Sequence, residues 1–135
     1  MDSVVILRLY FSAAQTRRTD GWWRRLAPQS LGEYLLREAK RSGIEQALLH
    51  RVIGGYLKGH ALAMDTGEIP SPRLPRCLEL VGTEDSLQSF LQRNQVHLKG
   101  VRSVFLRGEE ARIEAALDRQ ELQQILTTER DLRPE

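Results

Sequence analysis

The sequence predicts an α+β domain in which two helices cover one face of a largely antiparallel sheet. Strand-length apolar segments and amphipathic helical segments follow one another in the order β-α-β-β-α-β, and a Gly/Pro-rich stretch, not a helix, separates the two middle strands. The 135 residues, 41% hydrophobic and 28% charged, suit a single core and are too apolar for wholesale disorder.

Residues 4–11 (VVILRLYF) are dense in β-branched, aromatic and aliphatic side chains at strand length, with apolar groups on both faces. Residues 13–29 carry no apolar period and read as a long loop holding Arg17, Arg18, Trp22, Trp23, Arg24 and Arg25. Ser30 and Glu33 then form an S-x-x-E capping box, and Leu31, Leu35 and Ala39 repeat at helical spacing, which predicts a helix to Gly43. Residues 44–53 are rich in Leu, Ile and Val and form the second strand, closed by Gly54-Gly55. Residues 54–73 hold four glycines and two prolines, so they are a second long loop.

Residues 74–81 alternate as a third strand, with Leu74, Leu78 and Leu80 on one face and Cys77, Glu79 and Val81 on the other. Thr83 caps a second helix whose first turn carries Glu84 and Asp85, where the macrodipole favours carboxylates, and whose stripe is Leu87, Phe90 and Leu91. Residues 101–107 supply the fourth strand. This succession is that of a ferredoxin-like βαββαβ sandwich. Residues 1–108 make the domain, and 109–135 are a C-terminal helical extension of it. In that extension Ile113, Ala116 and Leu117 lie on one side, while Leu122, Ile125 and Leu126 fall opposite. The helix therefore breaks near Asp118, its second half meets another subunit, or it frays with a few leucines exposed.

Composition narrows the function classes. A net charge of +2 gives no basic field of the kind that marks a nucleic-acid binder, and the third strand lacks the aromatics of an RNA-recognition module. Residues 1–60 carry ten basic and five acidic side chains against ten and thirteen in 61–135, a segregation that weakly favours association of neighbours. The apolar run near the start is too short for a signal sequence or a membrane span, so a cytoplasmic protein is expected. Lone Cys77 excludes an internal disulfide and reads as a small buried hydrophobe. His50, His60 and His97 lack ligand spacing, so no metal is expected. No Walker loop, G-x-S-x-G or paired-carboxylate motif is present, and residues 13–29 do not supply the phosphate-cradling loop of an acylphosphatase, so no catalytic residue and no cofactor is assigned.

The two-faced strands point to association. A two-layer sandwich covers only the helix side of its sheet, so Ile6, Tyr10, Cys77 and Val81 would lie in water unless partner subunits, or in part the C-terminal helix, cover them. In the usual strand order the first and third strands are adjacent, which places Arg8 opposite Glu79 on that face, with His50 or Arg51 as a third charge. Arg8, Tyr10 and Glu79 are therefore the candidate oligomer interface, where a half-buried ion pair would orient subunits.

Gly54 and Gly55 at a strand end allow backbone amides to approach a phosphate with Arg51 or Lys58 supplying charge, although two glycines also simply open a loop. Lys99, Arg102 and Arg107 are placed to close such a cleft from a neighbour. The Arg/Trp loop 13–29 suits a base, an anionic lipid or a partner; solvated arginines around a packed Trp are the simpler reading.

The run Val5-Ile6-Leu7-Arg8-Leu9-Tyr10, the helix 30–43, Leu49-His50-Arg51-Val52-Ile53-Gly54-Gly55-Tyr56 and above all Leu74-Pro75-Arg76-Cys77-Leu78-Glu79-Leu80-Val81-Gly82-Thr83-Glu84 resemble the PII-like family called domain of unknown function 190. The resemblance spans about residues 4–107. It implies a non-enzymatic signalling homotrimer whose intersubunit clefts take an adenine nucleotide or another small anion, with residues 54–73 as the mobile sensing loop. It also implies a protein target such as a membrane transporter. Arg51, Gly54, Gly55, Tyr56, Lys58, Lys99 and Arg102 are then the candidate ligand residues. The alternative is a structural oligomer or partner-binding scaffold without a small ligand. The sequence departs from the family where Gly55-Tyr56 is followed by Leu57 and the next glycine is Gly59.

Overall fold

The computed structural model describes residues 2–16, 30–67, 71–111 and 119–131. In chain order these form β1 (Asp2–Ser12), α1 (Leu31–Arg41), β2 (Gln46–Arg51), β3 (Gly54–Gly55), β4 (Ala63–Met64), β5 (Pro75–Gly82), α2 (Glu84–Arg93), β6 (Arg102–Glu110) and α3 (Arg119–Asp131). β2, β5, β1 and β6 lie side by side in one antiparallel sheet, and β3 pairs with β4 in a separate small hairpin. The architecture is the ferredoxin-like sandwich expected from the element order.

Strict alternation builds the core. Val5, Leu7, Leu9 and Phe11 of β1 and Leu78 and Leu80 of β5 turn to one side and are buried against Leu31, Leu35 and Ala39 of α1 and Leu87 and Phe90 of α2. A one-residue slip in either strand would send every one of these groups to the opposite face, so the hydrophobic pattern fixes the register.

Capping defines the helices. The Ser30 hydroxyl accepts from the Glu33 amide at 3.3 Å, and Thr83 Oγ1 accepts from the Ser86 amide at 3.2 Å, each satisfying an amide that the first turn leaves without a partner. α1 ends two residues before the expected Gly43. There Gly43 (φ +78°) turns the chain, its amide donating to Lys40 O and that of Ile44 to Ala39 O, the paired bonds of a Schellman motif. Ile44 is thereby drawn into the cap, and β2 is shorter than the expected 44–53.

Two further differences from expectation concern strands. The 54–73 stretch is not loop throughout, because β3 and β4 pair around a turn in which the His60 amide donates to Leu57 O at 2.9 Å and Gly59 (φ +82°) takes the left-handed position. β6 runs to Glu110 because it pairs along nearly all of β1, from Tyr10↔Arg102 to Asp2↔Glu110. In the C-terminal segment, Ile113, Ala116, Leu117 and Asp118 lie outside the described residues; α3 begins at Arg119. Every described side chain of α3 is exposed, including Leu122, Ile125 and Leu126.

Candidate functional site

The face of the sheet turned away from α1 and α2 carries a mixed apolar and ionic surface. Direct cross-strand pairing sets Ile6 between Val81 and Leu106, Arg8 between Glu79 and Val104, and Tyr10 between Cys77 and Arg102, with Leu48 and His50 continuing these rows on β2. Leu48 stays 47% exposed and Leu106 39%. Among the described residues α3 does not cover them, since every described side chain of α3 is itself exposed.

At the centre Arg8 Nε donates to Glu79 Oε2 at 3.0 Å, and His50 Nε2 stands 4.0 Å from the same oxygen. The third charge is His50, because Arg51 falls on the opposite parity of β2, level with Arg76. The Glu79 carboxylate, with the Tyr10 hydroxyl, holds the Arg8 guanidinium above its ordinary range. Cys77 is half-buried on this face and not enclosed in the core; loss of hydration pushes its thiol above the ordinary 9.0, Glu79 adding to the rise and Arg8 opposing it.

A cleft of about 450 Å³ opens where the β3–β4 hairpin folds across one end of this face. Tyr10, Arg102 and Val104 form its sheet wall, Gly100 lies at its rim, and Tyr56, Leu57, Lys58 and His60 come from the hairpin. It joins two phenol rings and two aliphatic side chains to two cations and an imidazole. No carboxylate lines it, and among the described residues Lys58, His60 and Arg102 have no carboxylate partner.

Of the residues expected to bind a ligand, Tyr56, Lys58 and Arg102 line this cleft, together with Tyr10, which sequence reasoning placed at an interface. Arg51 ends β2 away from it. Gly54 and Gly55 do not line it either, because they are paired with Met64 and Ala63 in the hairpin ladder, and a Cβ at Gly54 would collide with Met64 Sδ. Lys99 neighbours the rim, where its carbonyl accepts from Gln15 Nε2 at 3.3 Å. Arg107 turns to the helix side and pairs with Glu84. The Arg/Trp cluster at 17–25 lies outside the described residues. Leu57, His60, Gly100 and Val104 were not anticipated. The signal available for the first two was the Leu57-Lys58-Gly59-His60 turn.

Among the described residues no group of His, Cys, Asp and Glu is arranged to hold a metal ion, and no helix is long and apolar enough to cross a membrane.

The model of domain of unknown function 190, described as an uncharacterised ACR, matches residues 21–107. No curated protein matches the chain. Among solved structures, a PII-like signalling protein from Thermus thermophilus is similar at 14% identity, covering 78% of this chain and 85% of that one with a TM-score of 0.47. CPII, a nitrogen regulatory PII-like protein from Thiomonas intermedia, solved bound to ADP, AMP and bicarbonate, is similar at 10% identity over 79% of this chain and 85% of that one with a TM-score of 0.50. At such identities the likeness to CPII is one of fold.

Proposed function

Since the chain belongs to the family called domain of unknown function 190, we propose that it is a cytoplasmic, PII-like regulatory protein without catalytic activity that senses a small anion, an adenine nucleotide fitting best. The cleft carries this reading. Its two cations suit phosphate oxygens, its tyrosine rings suit the face of a base, and its volume of about 450 Å³ is in the range of small-molecule sites. The ligands of CPII support the choice of nucleotide.

We further propose that the protein is a homotrimer. The half-exposed apolar rows of the open sheet face support association, and the Arg8–Glu79 pair among them would fix the angle at which copies meet more than it would add affinity. Placed at the end of that face, each cleft would be completed by a neighbouring copy, and its hairpin would change order with occupancy.

A thermal-shift screen with ADP, AMP, cyclic dinucleotides and simple anions tests the reading, alongside native mass measurement. A nucleotide should raise Tm in the unaltered protein and fail to do so in Arg102→Ala, and Glu79→Ala should lower the assembled mass at low concentration. Absence of stabilisation by every compound would remove the sensor reading. It would favour instead a partner-binding scaffold, for which the outward Ile53, Leu62 and Met64 of the hairpin segment, each more than half exposed, are the supporting observation. A membrane transporter remains the class of target that family resemblance suggests for that surface.

A further inference from the structure

The sheet has two outer strands, and β6 is the longer. It runs nine residues from Arg102 to Glu110, bonded on one side to β1, and among the described residues nothing pairs with its other side. An outer strand of that length presents a row of amide and carbonyl groups that another strand can take up, and β6 has no proline to prevent it. By alternation Arg102, Val104, Leu106, Gly108 and Glu110 share the open face of the sheet.

The charges on that row are symmetric in position and opposite in sign. Arg102 lies four residues before Leu106 and Glu110 four after it. Two copies of β6 laid antiparallel about Leu106 therefore set Arg102 opposite Glu110 at both ends, Val104 opposite Gly108, and Leu106 opposite itself. Neighbouring registers lose this match. Centred on Phe105, Arg102 meets Gly108; centred on Arg107, that arginine meets itself. β2, the other outer strand, reads Gln-Ala-Leu-Leu-His-Arg and has no carboxylate to answer its own arginine.

The surroundings favour a partner at the same two positions. Glu110 is set directly against Asp2 of β1, a like-charge juxtaposition that a cation on its outer side would relieve. Arg102 and Glu110 are exposed, and among the described residues neither has an ion-pair partner, whereas Arg107 is already held by Glu84 on the helix side.

We propose that a second copy of this chain pairs with β6 edge to edge about a two-fold axis between the two Leu106 residues, doubling the four-stranded sheet. This interface is separate from the sheet face on which the trimer reading rests. It brings Glu110 of the second copy beside Arg102 on the sheet wall of the cleft, so the partner supplies the carboxylate that the cleft lacks.

Sedimentation of the full chain at low ionic strength over a concentration series, with native mass measurement, tests the pairing. The unaltered protein should assemble in even multiples of the protomer, two copies alone or six where the trimer also forms. Arg102→Glu and Glu110→Arg should each weaken the pairing roughly tenfold or more, because each substitution acts at both ends of a two-fold interface. Mixed in equal amounts, the two variants should associate again, since each then meets its opposite charge at both ends, and every edge-paired couple should hold one of each. Such rescue also shows that both variants are folded. Masses of one or three protomers at every concentration, or a mixture no more associated than either variant alone, overturn the proposal. Glu79→Ala, which acts on the sheet face, should leave the two-copy species in place. If three-fold assembly is never seen while the two-copy species persists, the trimer reading falls and the edge pairing stands.

Discussion

Gly32, buried in the first turn of α1, lets the helix settle close against the sheet. A Cβ there would stand 2.9 Å from Leu49 Cδ1, 3.2 Å from Phe11 Cζ and 3.3 Å from Leu49 Cδ2. Two effects oppose each other in Gly32→Ala. Alanine favours the helix by at most ~1 kcal/mol, and by less in the first turn, whereas crowding a packed site costs ~1–3 kcal/mol. The nearest contact, to Leu49 Cδ1, is closer than real Cβ contacts come, so the crowding should win and the substitution should destabilise by about 1 kcal/mol. Two of the three close atoms belong to Leu49. In a Leu49→Ala background, itself costing about 2 kcal/mol, the same Gly32→Ala change should become neutral or stabilising by up to ~0.5 kcal/mol. Equilibrium urea unfolding of the four members of this cycle, at one protein concentration, measures the coupling directly. Additive effects, or a Gly32→Ala protein more stable than the original, would refute the claim that the helix packs against Leu49 too closely to admit a Cβ at Gly32.

Two further outcomes follow from the caps and the open face. Thr83→Ala should cost about 1 kcal/mol by freeing the Ser86 amide, lowering Tm by about 4 °C, and Thr83→Ser should restore most of it; calorimetry reads both. Burial raises the Cys77 thiol above 9.0, so folding favours its protonated form; that contribution is intact below the unfolded value and is lost as pH climbs through the folded one. Melts from about pH 8 to pH 10.5 should therefore fall more steeply for the unaltered protein than for Cys77→Ala, and parallel curves would show that desolvation of the thiol is not at work.

Much of the sheet was legible because period-2 alternation is a strong signal when one face is packed. Leu7, Leu9, Leu78 and Leu80 name the helix side, and what remains on β1 and β5, Arg8 and Glu79 included, must share the other. Thr83 and Ser30 mark helix starts through a chemistry that operates locally, which is why both caps were readable. The β3–β4 hairpin escaped because a two-residue ladder of glycine against Ala63 and Met64 has no periodicity to detect. The last residues of β6, Gly108, Glu109 and Glu110, have poor strand propensity and are held by pairing with β1, a long-range effect invisible in a local window. The cleft was half legible for the same reason. Lys58 and Tyr56 drew attention as loop residues beside glycines, while Val104 and Tyr10 join them only through the fold. His60 was weighed solely as a metal ligand, although its place after Lys58-Gly59 is what puts it on the cleft wall.

β1 precedes every strand it pairs with, and its neighbours β5 and β6 come far later, the Arg8–Glu79 contact alone spanning 71 positions. During synthesis this greasy segment must therefore leave the ribosome and wait, unshielded, while most of the polypeptide is still being made. Only then can the middle of the sheet be inserted as its closing act. In a molecule built in that order, substitutions that make β1 more sticky would be paid for in yield long before they registered in the stability of the finished product.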